Sequence, residues 1–450
     1  MTKDASMNMN THILQDIMQN PYAEIGYKLH LLLSTGQLLM SSGADTSRIV
    51  RDMTRVAAYM GIPWNMIHLH ITYTTLMLNI SDDEHSYTSF RKCKTHGINM
   101  TTISAVSKLT WRAMEEKYTL WKYDSELEKI RCRQRFYSPL VTALGAGFAC
   151  GGFCKLFGCD WLAFFYTALC AAIGFGVRRQ CNKWGINQYG SIAIAAFIAT
   201  FLAYLTHWLP GSATPWHPML ASTLFIVPGI PLINAVDDLL NNFIISGTTR
   251  GLDTVLTGGG MTFGIITAIN LCHMTDFTSL STVPNSSFLV YALAAGIAAV
   301  GFSMIFNVPP RLLFVAAIGG AIAVCLRNYI TLQLGYSQMI GSFFGAAVVG
   351  LIGLKAMHWV HTPFHVLAVP SVIPMIPGVL LYRFLLGIIN IGNIEPLALL
   401  KAVQNGIEAI LIIVGIAVGA TIPNIVAHKR IEHAKQVQLE EMLEDFRSLD

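Results

Sequence analysis

Ten apolar stretches, each long enough to cross a bilayer as a helix, follow one another between residues 139 and 427. They cover 139–157, 161–177, 189–209, 218–235, 254–272, 286–306, 311–329, 338–357, 366–389 and 404–427, each with few or no charges. A soluble domain is about one quarter charged, whereas this chain holds 12% charged and 53% hydrophobic residues. The charge is concentrated in residues 1–138, which reads as a separate soluble domain ahead of the spans. The chain is therefore expected to be a polytopic α-helical membrane protein carrying a small cytoplasmic α+β N-terminal domain. Small residues recur four apart, as at Gly147–Gly151, Gly341–Gly345 and Gly415–Gly419. Such spacing lets helix backbones approach where lipid supplies no hydrophobic drive.

Lys and Arg set the orientation. Arg131, Arg133 and Arg135 precede the first span, Arg178, Arg179 and Lys183 follow the second, and Lys429 and Arg430 follow the last. The loops 207–217 and 273–285 hold neither residue. With ten spans, both termini lie in the cytoplasm and the protein is multi-pass in the cell (cytoplasmic or inner) membrane. Residues 1–22 are polar and resemble no secretory signal, which agrees with a cytoplasmic start. In the second half the bias is weak, since Arg311 and Lys355 fall inside but Arg327 and Lys401 outside. A net charge of +4 spread over the chain gives no case for nucleic acid. Nine cysteines without a CxxC pair read as small buried hydrophobes rather than a disulfide or metal framework.

The spans contain a repeat. Leu140–Gly147 resembles Leu289–Gly296, an offset of 289 − 140 = 149. Gly152-Phe153 pairs with Gly301-Phe302, Arg178 with Arg327, and Pro228-Gly229 with Pro377-Gly378 at the same offset. Each half, 139–272 and 286–427, then has five spans. An odd number sends the second half into the membrane from the opposite side, the inverted-topology repeat common among secondary transporters. Residues 428–450 form a charged cytoplasmic tail.

The fourth span of each half is broken by prolines: Pro228, Gly229 and Pro231 in the first, Pro370, Pro374, Pro377 and Gly378 in the second. Proline removes a backbone donor and clashes with the preceding turn. Irregular backbone at membrane depth is tolerated only inside protein or along a cavity, and matched broken helices point to a transport site. Plain packing kinks are the blander reading, but the breaks recur at equivalent places. Asn234, Asp237 and Asp238 follow the first break, Tyr382 and Arg383 the second. Charge at mid-membrane is expensive. An Arg there could hold a carboxylate and an Asp could carry a coupling proton. Alternatively, Asp237 and Asp238 end their span and cap the helix of the loop to Arg250. Glu395 and Glu408 are weaker candidates. His358, His361 and His365 read as a surface loop rather than a metal site, and no cofactor is implied.

In the soluble domain, 23–41 is an amphipathic helix ended by Gly43. Asp45 or Thr46 caps a second helix, whose face of Arg48, Arg51, Asp52 and Arg55 is expected to be solvated. Residues 66–80 alternate as a strand with a bulge or turn near Thr74-Thr75, and 86–93 form another. His68 and His70 are expected to face water. A capped helix from Asn99 and a charged helix over 115–135 lead to the first span. No phosphate loop, GxSxG or HExxH motif is present.

The run from Gly36 to Arg48 (GQLLMSSGADTSR) resembles the opening motif of the threonine/serine exporter family. So do Val227–Pro231 with Asp237-Asp238, Ser246-Gly247 with Arg250, and Ile376–Gly378 with Tyr382-Arg383. The resemblance implies an integral exporter with a cytoplasmic N-terminal domain and ten spans, driven by the proton-motive force. Its partners would be a small-molecule substrate, protons and the bilayer, and a homo-oligomer is compatible with it. The family includes split relatives whose halves are separate chains, one such pair being associated with succinate. This chain resembles the fused form, joined in the 273–285 loop. Export of threonine and serine leads, dicarboxylate export is the alternative, and a membrane-anchored hydrolase or ligand sensor is the reading from another class. Five-span symmetry with matched breaks is needed by a transporter and by neither of the latter two.

Overall fold

The computed structural model describes residues 21–81, 84–93, 96–274, 287–360, 364–389 and 396–447. The side chains of 21–23, 357–360, 364–365 and 423–447 lie outside the description. The 1–22 tail apart from the backbone of 21 and 22, most of the 273–285 loop, His361 and Glu395, and the side chains of His358, His365 and the tail from 428 therefore fall outside the described residues. The chain divides into two compact units, one drawing mainly on residues up to Gln134 and the other on Arg135–Arg430.

The first unit opens with α1, Pro21–Ser41, which buries Leu29, Leu32, Leu33 and Leu39. Gly43 ends it at φ +83°, a left-handed conformation that costs glycine no Cβ clash. The Ala44 N–H then reaches the Leu39 carbonyl at 3.1 Å and Gly43 N–H the Met40 carbonyl at 3.1 Å, a glycine-terminated C-cap. Asp45 caps α2, Thr46–Tyr59, by accepting the Arg48 N–H at 2.9 Å. The strands β1, Ile67–Ile71, β2, Thr75–Ser81, and β3, Ser86–Lys92, form an antiparallel meander in sequence order. Leu69 pairs with Leu78 and Leu78 with Ser89. The 66–80 segment is thus a hairpin turning at 72–74, with His68 and His70 exposed on β1. Helices α3, Met100–Glu115, and α4, Leu120–Arg131, complete the unit.

The solvated face expected on α2 is corrected. Arg48 is 7% and Asp52 4% exposed. The Asp52 carboxylate accepts the Ser107 hydroxyl at 2.6 Å and Arg55 Nη1 at 2.8 Å, and Arg55 also donates to Thr110 at 2.9 Å. The Arg55 guanidinium lies over the Trp111 ring, 4.0 Å from its centre. Helix α3 turns its own polar stripe onto that of α2, so both are covered at once. Buried charge is tolerated because every member of the network has partners.

In the second unit, Ser138 caps α5, Pro139–Leu156, with proline at its first position. Helices α6, Trp161–Lys183, and α7, Gln188–Leu205, follow. Next come α8, His217–Ala221, α9, Gly229–Leu240, and α10, Ile244–Leu271. The second half holds α11, Phe288–Ile305, α12, Leu313–Asn328, α13, Gln338–Val360, α14, Phe364–Val372, α15, Gly378–Ile389, and α16, Pro396–Arg447. Among the described residues eight helices are long and apolar enough to cross a membrane, or up to ten if each of two bent pairs is one span. The protein is multi-pass and mostly helical.

Small residues set the packing. Gly145 sits against the Gly301 carbonyl and Gly152 against that of Ala294, so α5 and α11 run antiparallel along their contact. Phe153 meets Phe302 edge to face, their ring centres 5.8 Å apart. Gly147 packs on the Ala168 carbonyl and Gly296 on the Ala317 carbonyl, the same contact made twice.

Candidate functional site

Both proline runs break their helices in the same way. After α8 comes a tight turn, Leu224–Ile226, then Val227-Pro228, and α9 starts afresh at Gly229. After α14 comes the turn Ile373–Met375, then Ile376-Pro377, and α15 starts at Gly378. The bends are 56° and 57°. Pro228, at φ −80° and ψ 64°, centres an inverse γ-turn in which Gly229 N–H donates to the Val227 carbonyl at 2.8 Å. Gly378 N–H donates to the Ile376 carbonyl at 2.9 Å in the second break. Pro231 falls in the first turn of α9, where a missing donor costs no intrahelical bond, and Pro374 is buried in the second turn.

The two breaks cross. Gly229 has Ile376 and Ile373 where a Cβ would stand, and Gly378 has Leu224 at 2.8 Å and Val227 at 3.1 Å from that position. A small cavity lies at the crossing, with room for little more than a water molecule. It is lined by Phe153, Leu224, Val227, Gly229, Phe302, Ile373, Ile376 and Gly378. These are four pairs at one offset: 302 − 153, 373 − 224, 376 − 227 and 378 − 229 each equal 149. Every side chain that lines it is apolar. Among these the sequence marks only the two glycines as site candidates; applying the offset of 149 to every residue beside the breaks brings in the rest.

The polar candidates lie further along α9 and α15. Asn234 and Asp237 are each 5% exposed and Asp238 is fully buried. Asp238 Oδ2 pairs with Arg250 Nε at 3.0 Å, joining α9 to α10. This replaces the capping role considered for Asp238, since α10 begins after Phe243 with no side-chain cap. The Asn241 amide donates to the Asp237 carbonyl at 2.8 Å. Tyr382 is buried, with its hydroxyl 3.5 Å from the Leu220 carbonyl, and Arg383 is half-buried on the same helix. Glu408 is exposed on α16. Tyr189, which donates to Asp253 at 2.7 Å, was not singled out from sequence. No cluster of metal-ligating side chains occurs among the described residues.

Residues 30–272 match a family model described as "Putative threonine/serine exporter", and residues 291–426 match a second described as "Threonine/Serine exporter, ThrE". The chain belongs to the threonine/serine exporter family. Among similar proteins, a Klebsiella aerogenes protein named "Probable succinate transporter subunit YjjP" is 28% identical over 255 residues, 56% of this chain and 97% of that one. The "Probable threonine/serine exporter" of Mycobacterium tuberculosis is 20% identical over 368 residues, 79% of this chain and 69% of the relative. The "Threonine/serine exporter" of Corynebacterium glutamicum is 20% identical over 381 residues, 82% and 77% respectively. No solved structure matches this exporter-family chain.

Proposed function

We propose that this protein is a secondary exporter of small polar amino acids, threonine and serine, driven by the proton-motive force and working by alternating access. Family membership and the names of the mycobacterial and corynebacterial relatives support the substrate class. The observation that carries the mechanism is the reciprocal crossing of two broken helices around four residue pairs at one offset.

On this reading 139–272 and 286–427 are two five-span repeats of opposite sense. The antiparallel contact of α5 with α11 supports it, since inverted equivalents must run oppositely where they meet. Residues 23–138 form the cytoplasmic domain, 1–22 and 428–450 are cytoplasmic tails, and the protein sits in the cell membrane. Alternating access moves one repeat against the other around Pro228, Gly229, Pro231, Asn234, Asp237 and Asp238 on one side. Pro374, Pro377, Gly378, Tyr382 and Arg383 face them on the other. Arg383 takes the substrate carboxylate, the freshly started helices α9 and α15 offer their positive ends, and Asp237 or Asp238, held by Arg250, carries the coupling proton. The apolar crossing is closed in this arrangement, as a gate between the two sides must be.

Succinate export is a second reading, favoured by the Klebsiella relative, whose whole length corresponds to little over half of this chain. Cells loaded with threonine, serine and succinate, with and without the protein and before and after a protonophore, decide between them. Protonophore-sensitive loss of the amino acids is expected. Selective loss of succinate would move the substrate to the second reading, and no loss of any would sink both.

A further inference from the structure

Two hydroxyls stand out beside the first break. Ser222 and Thr223 are fully buried, and neither hydroxyl has a hydrogen-bond partner among the described residues. A hydroxyl taken out of water without a partner loses its hydration with no return. Four other buried hydroxyls lack a partner among the described residues: Thr200, Tyr291 and Ser342 lie in unbroken helices and Thr331 in the turn Tyr329–Gln333, whereas Ser222 and Thr223 lie within a broken pair, between α8 and the turn Leu224–Ile226.

The repeat shows that unpartnered hydroxyls are not demanded by the local fold. The equivalents of Ser222 and Thr223 are Ser371 and Val372, since 371 − 222 and 372 − 223 both equal 149. Ser371 donates to the Leu367 carbonyl at 2.9 Å, four residues back in its helix. In the first half the corresponding carbonyl belongs to Pro218; it accepts the Ser222 backbone N–H at 2.9 Å, and the Ser222 hydroxyl makes no bond to it. Val372 carries no polar group to satisfy. One half therefore closes its turn completely, and the other leaves two hydroxyls open.

The segment that carries them meets α15, on the proposed path, at two points. One turn before them, the Leu220 carbonyl is 3.5 Å from the Tyr382 hydroxyl of α15. Just after them, Leu224 packs on Gly378, the first residue of that same helix. Along the chain the two residues thus fall between the two points at which α15 meets this segment.

We propose that Ser222 and Thr223 form the subsite that reads the substrate side-chain hydroxyl and so select threonine and serine over amino acids lacking it. This rests on the export reading above. Each hydroxyl both donates and accepts, which matches a neutral group that does the same. A carboxylate placed there would bring a charge to two neutral partners. A site built around a substrate hydroxyl rejects the analogue without it far more strongly than an apolar pocket rejects a change of one methylene, because its own polar groups are then left unpaired.

The test compares threonine with 2-aminobutyrate, which has hydrogen in place of the hydroxyl, in proteoliposomes containing the full chain. Wild type should transport threonine at least about tenfold faster than 2-aminobutyrate. In Thr223→Val and Ser222→Ala the ratio should fall toward one with 2-aminobutyrate flux kept, and Thr223→Ser should restore it. A ratio unchanged in both variants overturns the subsite while leaving the exporter reading intact. If both variants lose all flux, Thr223→Ser and Ser222→Thr decide: a wild-type ratio in these supports the subsite, and a collapsed ratio overturns it. Wild type that moves succinate and no amino acid overturns the export reading and the subsite together.

Discussion

Gly229 stands against Ile376 with no space for a Cβ between them, and 149 residues on, Gly378 stands against Val227 in the same relation. The glycines begin the second helix of each broken pair and the aliphatic residues end the turn before each break. Each pair thus supplies both a gap and a filler to the other, which lets two backbones cross closely inside the membrane unit.

Adding side chains at this crossing should impair transport. Gly378→Val meets Val227 and Leu224, and overpacking of this kind costs about 1–3 kcal/mol. Gly229→Val should behave alike, and Ala at either position should be milder, since the ends of Ile376 and Leu224 can rotate away. Efflux normalised to the amount of protein in the membrane checks this; full activity in both valine variants would exclude a close crossing.

The Asp238–Arg250 pair should matter more broken than absent. Arg250→Ala leaves a fully buried carboxylate without its cation, a loss of about 3–5 kcal/mol. Folded yield in detergent should drop, and Asp238→Ala in the same chain should recover part of it. A double variant no better folded than the single would argue against direct coupling.

Arg383 is expected to serve transport rather than folding. Arg383→Ala should cut export by about tenfold or more, the loss of one charge-assisted hydrogen bond, with membrane levels near normal. Arg383→Lys should retain part. Unchanged export by the alanine variant would remove Arg383 from the path.

In the first unit, Asp52→Ala removes the carboxylate that Arg55 and the Ser107 hydroxyl share in a buried network. About 3–5 kcal/mol should be lost, visible as faster hydrogen exchange in α2 and α3 of the full chain. Exchange rates equal to wild type would mean that the network contributes nothing.

His30 should make that unit sensitive to acid. Partial desolvation, and then the Arg91 guanidinium, which lies 3.0 Å from Nδ1, hold its pKa below the ordinary 6.5. Asp124 and Glu128 oppose this and Arg131 adds to it. The unfolded chain then binds the proton first, so stability falls as pH drops below about 6.5 toward the lowered value. His30→Gln should flatten this part of the pH dependence of α1 exchange, and an unchanged profile would assign it elsewhere.

Much of the architecture was legible because its causes are local. Asp45 caps α2 as read, and both proline runs break their helices as read. The misjudged ends have a physical reason. The fourth stretch was closed at 235 and the fifth opened at 254, yet α9 runs to Leu240 and α10 starts at Ile244. Asp238 and Arg250 lower the hydropathy of those turns, but they neutralise each other inside the protein. A charge that has found its partner looks, in sequence, like a charge in water. The face of α2 was misread for the same reason.

The sequence by itself determined that the chain is a train of apolar helices, that two of them are broken, and that an offset of 149 relates the halves. Hydropathy, proline and repetition act through each segment's own backbone and need no partner to be read. Only the tertiary structure decided that Gly229 meets Ile376, that Asp238 meets Arg250, and that Ser222 is left open where Ser371 is closed. Those relationships depend on which segments pack together, and residues far apart along the chain acquire them only when it folds.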